Sequence, residues 1–214
     1  MNKNGKIVFI GDSITEWGCE EDPENIGTGY VRLIHDYLVT TYPERKPVVL
    51  NRGVGGNRIP DLAKRWQKDV LDENPDYVSV SIGINDVWRQ IDHLVDDQVY
   101  PDQFEQIYVD LLTQLKEKSN AKIIIMEPTI IEEDVHSEAN KKLVAYVDVV
   151  KRLAERFEAI YVPTNQAFIH FLNTDADLKL TIDGVHTNST GNMLIAQTWI
   201  KAFEENVMQF IKNF

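Results

Sequence analysis

The sequence predicts an α/β fold in which a parallel sheet lies between two layers of helices. Two features support this prediction: short apolar runs, and amphipathic stretches that alternate with them along the chain. Short apolar runs bounded by turn residues are typical of the buried strands of a parallel sheet. Repeated alternation of strands and helices then places helices on both faces of that sheet.

The predicted strands are rich in valine, isoleucine and aromatic residues. They lie at residues 7–10, 48–50, 77–82, 122–126 and 160–162. In open parallel sheets, ligands bind outside the carboxyl ends of the strands. Residues that carry chemistry are therefore expected directly after these runs.

Amphipathic helices are predicted wherever apolar residues recur every three or four positions. They are expected near residues 30–38, 62–71, 104–115, 138–157 and 190–211. Pro60 suits the first turn of the second of these helices. On the helix at 138–157, the predicted apolar face consists of Leu143, Val147, Val150, Ala154 and Phe157.

A length of 214 residues suits one domain with a full core, and no linker rich in proline, glycine or serine interrupts it. Residues 1–214 are therefore predicted to form a single domain. The apolar run at 7–10 is too short for a signal-peptide core or a membrane span. A cytoplasmic location follows as a prediction.

The formal net charge of −12 argues against nucleic acid and membrane surfaces as partners, because an acidic surface repels phosphate groups. A neutral substrate, such as an acylated sugar or another small ester, suits this charge better. Cys19 is the single cysteine, so neither an intramolecular disulfide nor a thiolate zinc cage can form. We interpret Cys19 as a partly buried filler.

Polar clusters follow three of the predicted strands and precede the last helix. They are Gly11-Asp12-Ser13, the glycine-rich run 51–58, Gly83-Ile84-Asn85-Asp86 and Asp183-Gly184-Val185-His186. Three of them stand where the strand-end rule predicts chemistry, and the fold can bring the fourth to them. These clusters are the candidate active site.

Acyl transfer to water needs a nucleophile, a base, an orienting carboxylate and donors for the developing oxyanion. Ser13 can be the nucleophile and His186 the base, and Asp183 stands three residues before that histidine. The backbone N–H groups of Ser13 and Gly56 and the side-chain amide of Asn85 can form the oxyanion hole. The sequence Gly-x-Ser-x-Gly is absent around Ser13, so a nucleophile elbow is not predicted.

Residues of these types also have structural roles. Ser13 could be only a helix N-cap and Asp183 only a turn residue. Asp12 and Asp86 are interpreted as acceptors for loop N–H groups. The acidic run 132–134 is interpreted as a solvated loop and not as a metal site. For Trp88 and Arg58, a place in the substrate pocket and a structural place both stay open.

Together and in this order, the four clusters resemble the signature blocks of the SGNH hydrolases, also called the GDSL lipase/acylhydrolase family. The resemblance extends from Ile7 to the last helix. It implies a three-layer α/β/α fold with a flavodoxin-like sheet of five parallel strands, and an esterase that needs no metal and no cofactor. It also implies the roles given above for the site residues: Ser13, Asp183, His186, Gly56 and Asn85.

The second block offers three glycines, Gly53, Gly55 and Gly56, as the oxyanion donor. In the family pattern the donor falls five residues after the asparagine that ends the strand, here Asn51, which favours Gly56.

Two further segments narrow the resemblance to an intracellular bacterial subgroup that includes acetyl-xylan esterases. They are Gly27-Thr28-Gly29-Tyr30 and residues 82–90. The subgroup implies an acetylated xylo-oligosaccharide or a similar acetylated sugar as substrate. This chain departs from the subgroup after His186, where Thr187 and Asn188 replace the expected proline.

The predicted function is therefore a serine esterase that removes small acyl groups, acetyl above all, from a neutral oligosaccharide. A lysophospholipase or thioesterase is the enzymatic alternative, but it would need an extended apolar groove. A non-catalytic carbohydrate-binding or scaffold protein is the alternative from another class. The apolar and aromatic residues at 206–214 would suit an interface in a homo-oligomer.

Overall fold

The computed structural model describes residues 3–92, 98–174 and 177–211. Its sheet has the order β2-β1-β3-β4-β5, and each neighbouring pair is parallel. This confirms the predicted α/β fold with five parallel strands. The strands are β1 (Lys6–Gly11), β2 (Val48–Gly53), β3 (Tyr77–Ser81), β4 (Lys122–Met126) and β5 (Ile160–Val162).

Helices follow the strands along the described part of the chain. They are α1 (Ser13–Glu16), α2 (Tyr30–Thr41), α3 (Ile59–Trp66), α4 (Ile84–Asp92), α5 (Pro101–Lys118), α6 (Glu138–Phe157), α7 (Thr164–Thr174) and α8 (Ser189–Ile211). A π-helical turn, Gln67–Leu71, continues α3. Over the described ranges, no helix has both the length and the apolar character needed to cross a bilayer.

The sheet is the centre of a three-layer arrangement. Helices α2 and α8 pack together on one face, and α3, α5 and α6 pack on the other. Strand β1, which lies between β2 and β3, is apolar and fully buried over residues 7–10. In α8, Trp199 donates its indole N–H to the hydroxyl of Ser79 at 3.0 Å, and the ring of Phe203 packs edge-on against that of Tyr77, both partners being in β3. These contacts anchor α8 to the sheet, so the loop before α8 is brought to the carboxyl edge.

Helices α1, α4 and α7 were not predicted from the sequence. In α7 the buried side chains include Thr164 and Asn165 beside Phe168 and Leu172, so no apolar stripe marks the helix. Helix α4 begins inside the polar third cluster, and helix α1 is only one turn long. Apolar periodicity cannot detect helices of these kinds.

The predicted apolar face of α6 was partly wrong. Val147 and Phe157 are only partly buried, whereas Tyr146, Val149 and Leu153 are buried. The buried stripe is turned around the helix because Tyr146 points inward, and its hydroxyl donates to the carbonyl of Val99 at 2.5 Å. The side chains of the predicted 206–214 interface lie outside the described residues beyond Val207.

Candidate active site

Three polar clusters begin side by side where β1, β2 and β3 end. Gly11, the last residue of β1, pairs in register with Gly53 of β2 and Ser81 of β3. The loops that follow these residues therefore leave the sheet together. This confirms the expectation that the polar clusters meet at the carboxyl edge.

Ser13 is the first residue of α1 and is not its N-cap. Asp12 caps the helix instead, and its carboxylate accepts a hydrogen bond from the Ile14 N–H at 3.0 Å. The first N–H groups of a helix have no acceptor within that helix. The Ser13 N–H is therefore available to a substrate oxygen close to the Ser13 hydroxyl.

The side chains of Ser13, His186 and Asp183 form a hydrogen-bonded chain. Ser13 Oγ lies 2.9 Å from His186 Nε2, and His186 Nδ1 lies 2.7 Å from Asp183 Oδ2. Because an ionised carboxylate only accepts hydrogen bonds, Nδ1 carries the proton and Nε2 is left to accept from the serine hydroxyl. Such a chain can remove the hydroxyl proton as the oxygen attacks a carbonyl group.

Hydrogen bonds keep Asp183 ionised. Its Oδ1 accepts from the N–H groups of Val185 at 3.0 Å and of His186 at 2.8 Å. Burial opposes ionisation, but the hydrogen bonds from His186 and Val185 outweigh it and lower the pKa of Asp183 to about 2. Asp183 thus both stabilises the turn through these N–H groups and contacts the imidazole.

Residues 180–188, the base loop, are held by a carboxylate from another part of the chain. Glu133 Oε1 accepts from the N–H groups of Leu180 and Thr181, both at 2.8 Å, and from the Thr181 hydroxyl at 2.6 Å. The interpretation of the run 132–134 as a solvated acidic loop was therefore wrong for Glu133. Its side chain fixes the loop that carries His186.

His186 also contacts an aromatic ring that the sequence analysis did not single out. The centroid of the Trp17 ring lies 5.4 Å from that of the imidazole, with 30° between the ring planes. The indole limits rotation of the imidazole away from Ser13. Nothing in the spacing of residues relates position 17 to position 186, so only the folded chain reveals this contact.

Residues 53–57, the glycine loop, lie beside Ser13. The Gly53 N–H already donates to Asn51 Oδ1 at 2.9 Å. Gly56 has a φ of +74°, a left-handed conformation that glycine adopts without strain. Among the described residues, the Gly56 N–H has no acceptor. These facts favour Gly56 over Gly53 as a donor to a substrate.

The start of α4 ties the glycine loop in place. Asn85 donates one amide N–H to the Asn57 carbonyl at 3.1 Å, which leaves its second amide N–H for a substrate. The buried Asp86 carboxyl accepts from the Ile59 N–H at 3.1 and 3.3 Å. The interpretation of Asp12 and Asp86 as acceptors for N–H groups is confirmed. Burial raises the pKa of Asp86 to about 8.

Arg65 is a second positioning residue that sequence reasoning missed. Its guanidinium donates to the carbonyls of Gly11 at 2.8 Å and Arg52 at 2.7 Å, and to Asn57 Oδ1 at 2.8 Å. It thus links the ends of β1 and β2 to the glycine loop.

Arg58 and Trp88, for which the sequence allows either a pocket position or a structural one, both make structural contacts. Arg58 precedes α3, and its Nε lies 3.1 Å from Asp61 Oδ2. Trp88 is partly buried and packs against the core.

Residues 9–194 match the family described as GDSL-like Lipase/Acylhydrolase. The chain is 37% identical over 204 residues to the curated acetylxylan esterase of Geobacillus stearothermophilus, with 92% of each chain covered.

Solved structures share the fold over nearly the whole chain. A catalytic mutant of Axe2, an acetylxylan esterase from Geobacillus stearothermophilus, matches with a TM-score of 0.88 and 35% identity, covering 94% of this chain and 95% of that one. LAE5, an alpha/beta hydrolase enzyme from the metagenome of Lake Arreo, matches with a TM-score of 0.87 and 34% identity, covering 94% and 96%. In Axe2, catalytic mutants replace an aspartate, a serine or a histidine by alanine.

Proposed function

We propose that this chain removes acetyl groups from acetylated oligosaccharides, with Ser13, His186 and Asp183 as its catalytic triad. The chain belongs to the GDSL-like lipase/acylhydrolase family and is a carboxylic-ester hydrolase. The observation that carries the triad is the continuous hydrogen bonding from Ser13 Oγ through the imidazole to Asp183. In Axe2, too, the aspartate and the histidine of the catalytic mutants stand three residues apart.

Catalysis begins when His186 Nε2 takes the proton of the Ser13 hydroxyl and Oγ attacks the ester carbonyl. Asp183 stabilises the imidazolium and keeps the ring in the correct tautomer. The N–H groups of Ser13 and Gly56 and the amide of Asn85 bind the oxyanion. Each fixed donor lowers the barrier by about 3–4 kcal/mol in comparable sites.

The acyl-enzyme forms when the C–O bond of the ester breaks and His186 gives its proton to the departing alcohol. Water then enters, His186 removes one of its protons, and the same tetrahedral steps release the carboxylic acid and restore Ser13.

A small acyl group on a sugar suits the surroundings of Ser13. The adjoining cavity of about 300 Å³ is lined by Glu16, Trp17, Gly18, Cys19, Glu20 and Glu21. A lining with three carboxylates disfavours an anionic phospholipid headgroup and a long acyl chain. Burial, together with Glu16 and Asp22, raises the pKa of Cys19 to about 11, so its thiol is a poor nucleophile.

The test is hydrolysis of para-nitrophenyl esters from acetate to decanoate and of acetylated xylo-oligosaccharides. We expect rapid cleavage of the acetate ester, a rate that declines as the acyl chain lengthens, and cleavage of the acetylated oligosaccharides. Ser13→Ala should lose activity on both kinds of substrate. A preference for decanoate would favour the lysophospholipase or thioesterase alternative. Full activity in Ser13→Ala would refute the triad.

A further inference from the structure

Two charged side chains of opposite sign flank the glycine loop. A Cβ atom added to Gly55 would lie 3.0 Å from Glu16 Oε2 and 3.9 Å from the Cβ atom of Ser13. A Cβ atom added to the next residue, Gly56, would lie 3.7 Å from Arg89 Nη2. A carboxylate and a guanidinium therefore both lie close to a loop that borders the proposed nucleophile.

Neither charge has a partner among the described residues. Throughout residues 3–92, 98–174 and 177–211, the Glu16 carboxylate and the Arg89 guanidinium make no hydrogen bond and no ion pair. Both residues are partly buried. Leaving partly buried charges unpaired costs free energy, because they lose water without gaining a partner.

Other charges near the site do have partners. Arg65 Nη1 lies 2.8 Å from Asp69, and Arg58 Nε lies 3.1 Å from Asp61. Among the partly buried charges near the site, the two unpaired groups are therefore exceptions, and a bound molecule is the natural source of their missing partners.

The positions of both residues are set by helices that carry proposed site residues. Glu16 lies three residues after Ser13 on α1, and Arg89 lies four residues after Asn85 on α4. Residues three or four apart share one face of a helix. Each charge therefore lies next to a residue that handles the ester group.

The two groups have complementary hydrogen-bonding abilities. An ionised carboxylate only accepts hydrogen bonds, and a guanidinium only donates them. A hydroxyl group does both, so a sugar with free hydroxyl groups can donate to Glu16 and accept from Arg89. An alcohol whose neighbouring hydroxyl groups are all acetylated has no O–H to donate to the Glu16 carboxylate, and it offers the Arg89 guanidinium only the weaker oxygens of an ester.

We propose that Glu16 and Arg89 bind free hydroxyl groups of the sugar that neighbour the acetyl ester, and so select partially acetylated over fully acetylated sugars. This rests on the proposed function, since it takes the acetylated sugar as substrate. The two residues act on the leaving group, whereas Gly56 and Asn85 act on the carbonyl.

The experiment compares two methyl xylosides, one with a single acetyl group and free neighbouring hydroxyls, the other fully acetylated. The measured quantity is the ratio of their kcat/KM values per ester group. We expect wild type to favour the first substrate, and Glu16→Gln and Arg89→Gln each to lower the ratio about tenfold or more, since hydrogen bonds to charged groups are the strong ones.

Glu155→Gln and Arg156→Gln are the matched controls, because they remove the same charges from exposed positions on α6. Both should leave the ratio at its wild-type value. Circular dichroism and the melting temperature of every variant show whether the fold is intact.

Two results would overturn the inference while the proposed function stands: an equal preference for both sugars in wild type, or an unchanged ratio in both site variants. An equal loss of kcat/KM on both sugars in the site variants would mean that Glu16 and Arg89 support the glycine loop or the triad. That result would also overturn the inference. Failure of wild type to cleave either sugar, with Ser13-dependent hydrolysis of para-nitrophenyl acetate intact, would overturn the proposed sugar substrate as well.

Discussion

The base loop and the glycine loop lie on two sides of Ser13 and differ in how their polar groups are satisfied. The base loop donates three hydrogen bonds to Glu133, and Thr181 and Thr187 form a bridge within it. In the described part of the glycine loop and its surroundings, the Gly56 N–H and the charges of Glu16 and Arg89 have no partners. The protein fixes the loop that must hold a base still, and leaves polar groups without partners at the loop that must meet a substrate.

This difference follows from what each loop is proposed to do. A general base must keep its tautomer and its distance to the nucleophile before any substrate arrives. Oxyanion donors and sugar contacts, by contrast, act only when a substrate supplies their partners. Hydrogen bonds within the protein would compete with that binding.

The largest effect on kcat is expected for a change at Asp183 in the base loop. Asp183→Asn removes the charge that fixes the His186 tautomer, and should lower kcat by about 10⁴-fold. Asp102→Asn, at an exposed position on α5, is the control and should retain activity. Esterase assays at saturating substrate measure the effect. A loss of less than tenfold in kcat would mean that Asp183 does not orient a catalytic base.

The next largest effect on kcat is expected for a change at Asn85, which lies against the glycine loop. Asn85→Ala removes a proposed oxyanion donor and should lower kcat by about 10²–10³-fold while KM changes little. Asn120→Ala, an exposed residue between α5 and β4, is the control. A rise in KM with normal kcat would move Asn85 from the oxyanion to ground-state binding.

A smaller effect is expected when the base loop is loosened and no triad residue is changed. Glu133→Gln replaces a charged acceptor of three hydrogen bonds by a neutral one, and should lower kcat about tenfold and the melting temperature by a few degrees. Glu132→Gln, next in the chain and exposed, is the matched control. Unchanged kcat in Glu133→Gln would show that the loop does not need this support.

The smallest effect concerns the pH dependence of stability. Burial raises the pKa of Asp86 to about 8 and that of Asp12 to about 6. The folded protein therefore binds protons that the unfolded chain has lost, and stability falls as pH rises through these values. Denaturant unfolding from pH 6 to 8 should show a decline in wild type and a flatter curve in Asp86→Asn. Identical slopes would contradict the raised pKa.

Much of the fold and the polar residues at the strand ends could be predicted from the sequence, because both leave local patterns. Apolar runs indicated the five strands. Short polar clusters, each of only a few consecutive residues, contain Ser13, Asn85, Asp183 and His186. Helix α7 was missed because polar side chains fill part of its buried face.

The supporting contacts could not be predicted, since they join residues far apart in the chain. Glu133 reaches Thr181 across 48 positions, and Arg65 reaches Gly11 across 54. Trp17 meets His186 only because the fold brings the loop before α8 back to the end of β1. That Glu16 and Arg89 have no partner among the described residues likewise becomes visible only when those residues are placed in three dimensions.

Labelling with a fluorophosphonate probe tests the central claim most directly, because the probe reacts with a serine only when a neighbouring base activates it. The protein is treated with the probe, and the modified residue is identified by mass spectrometry of its peptides. We predict one adduct on Ser13 in wild type and none in Ser13→Ala, with strongly slowed labelling in His186→Ala. Absence of an adduct on Ser13 in active wild-type protein would contradict the proposed triad.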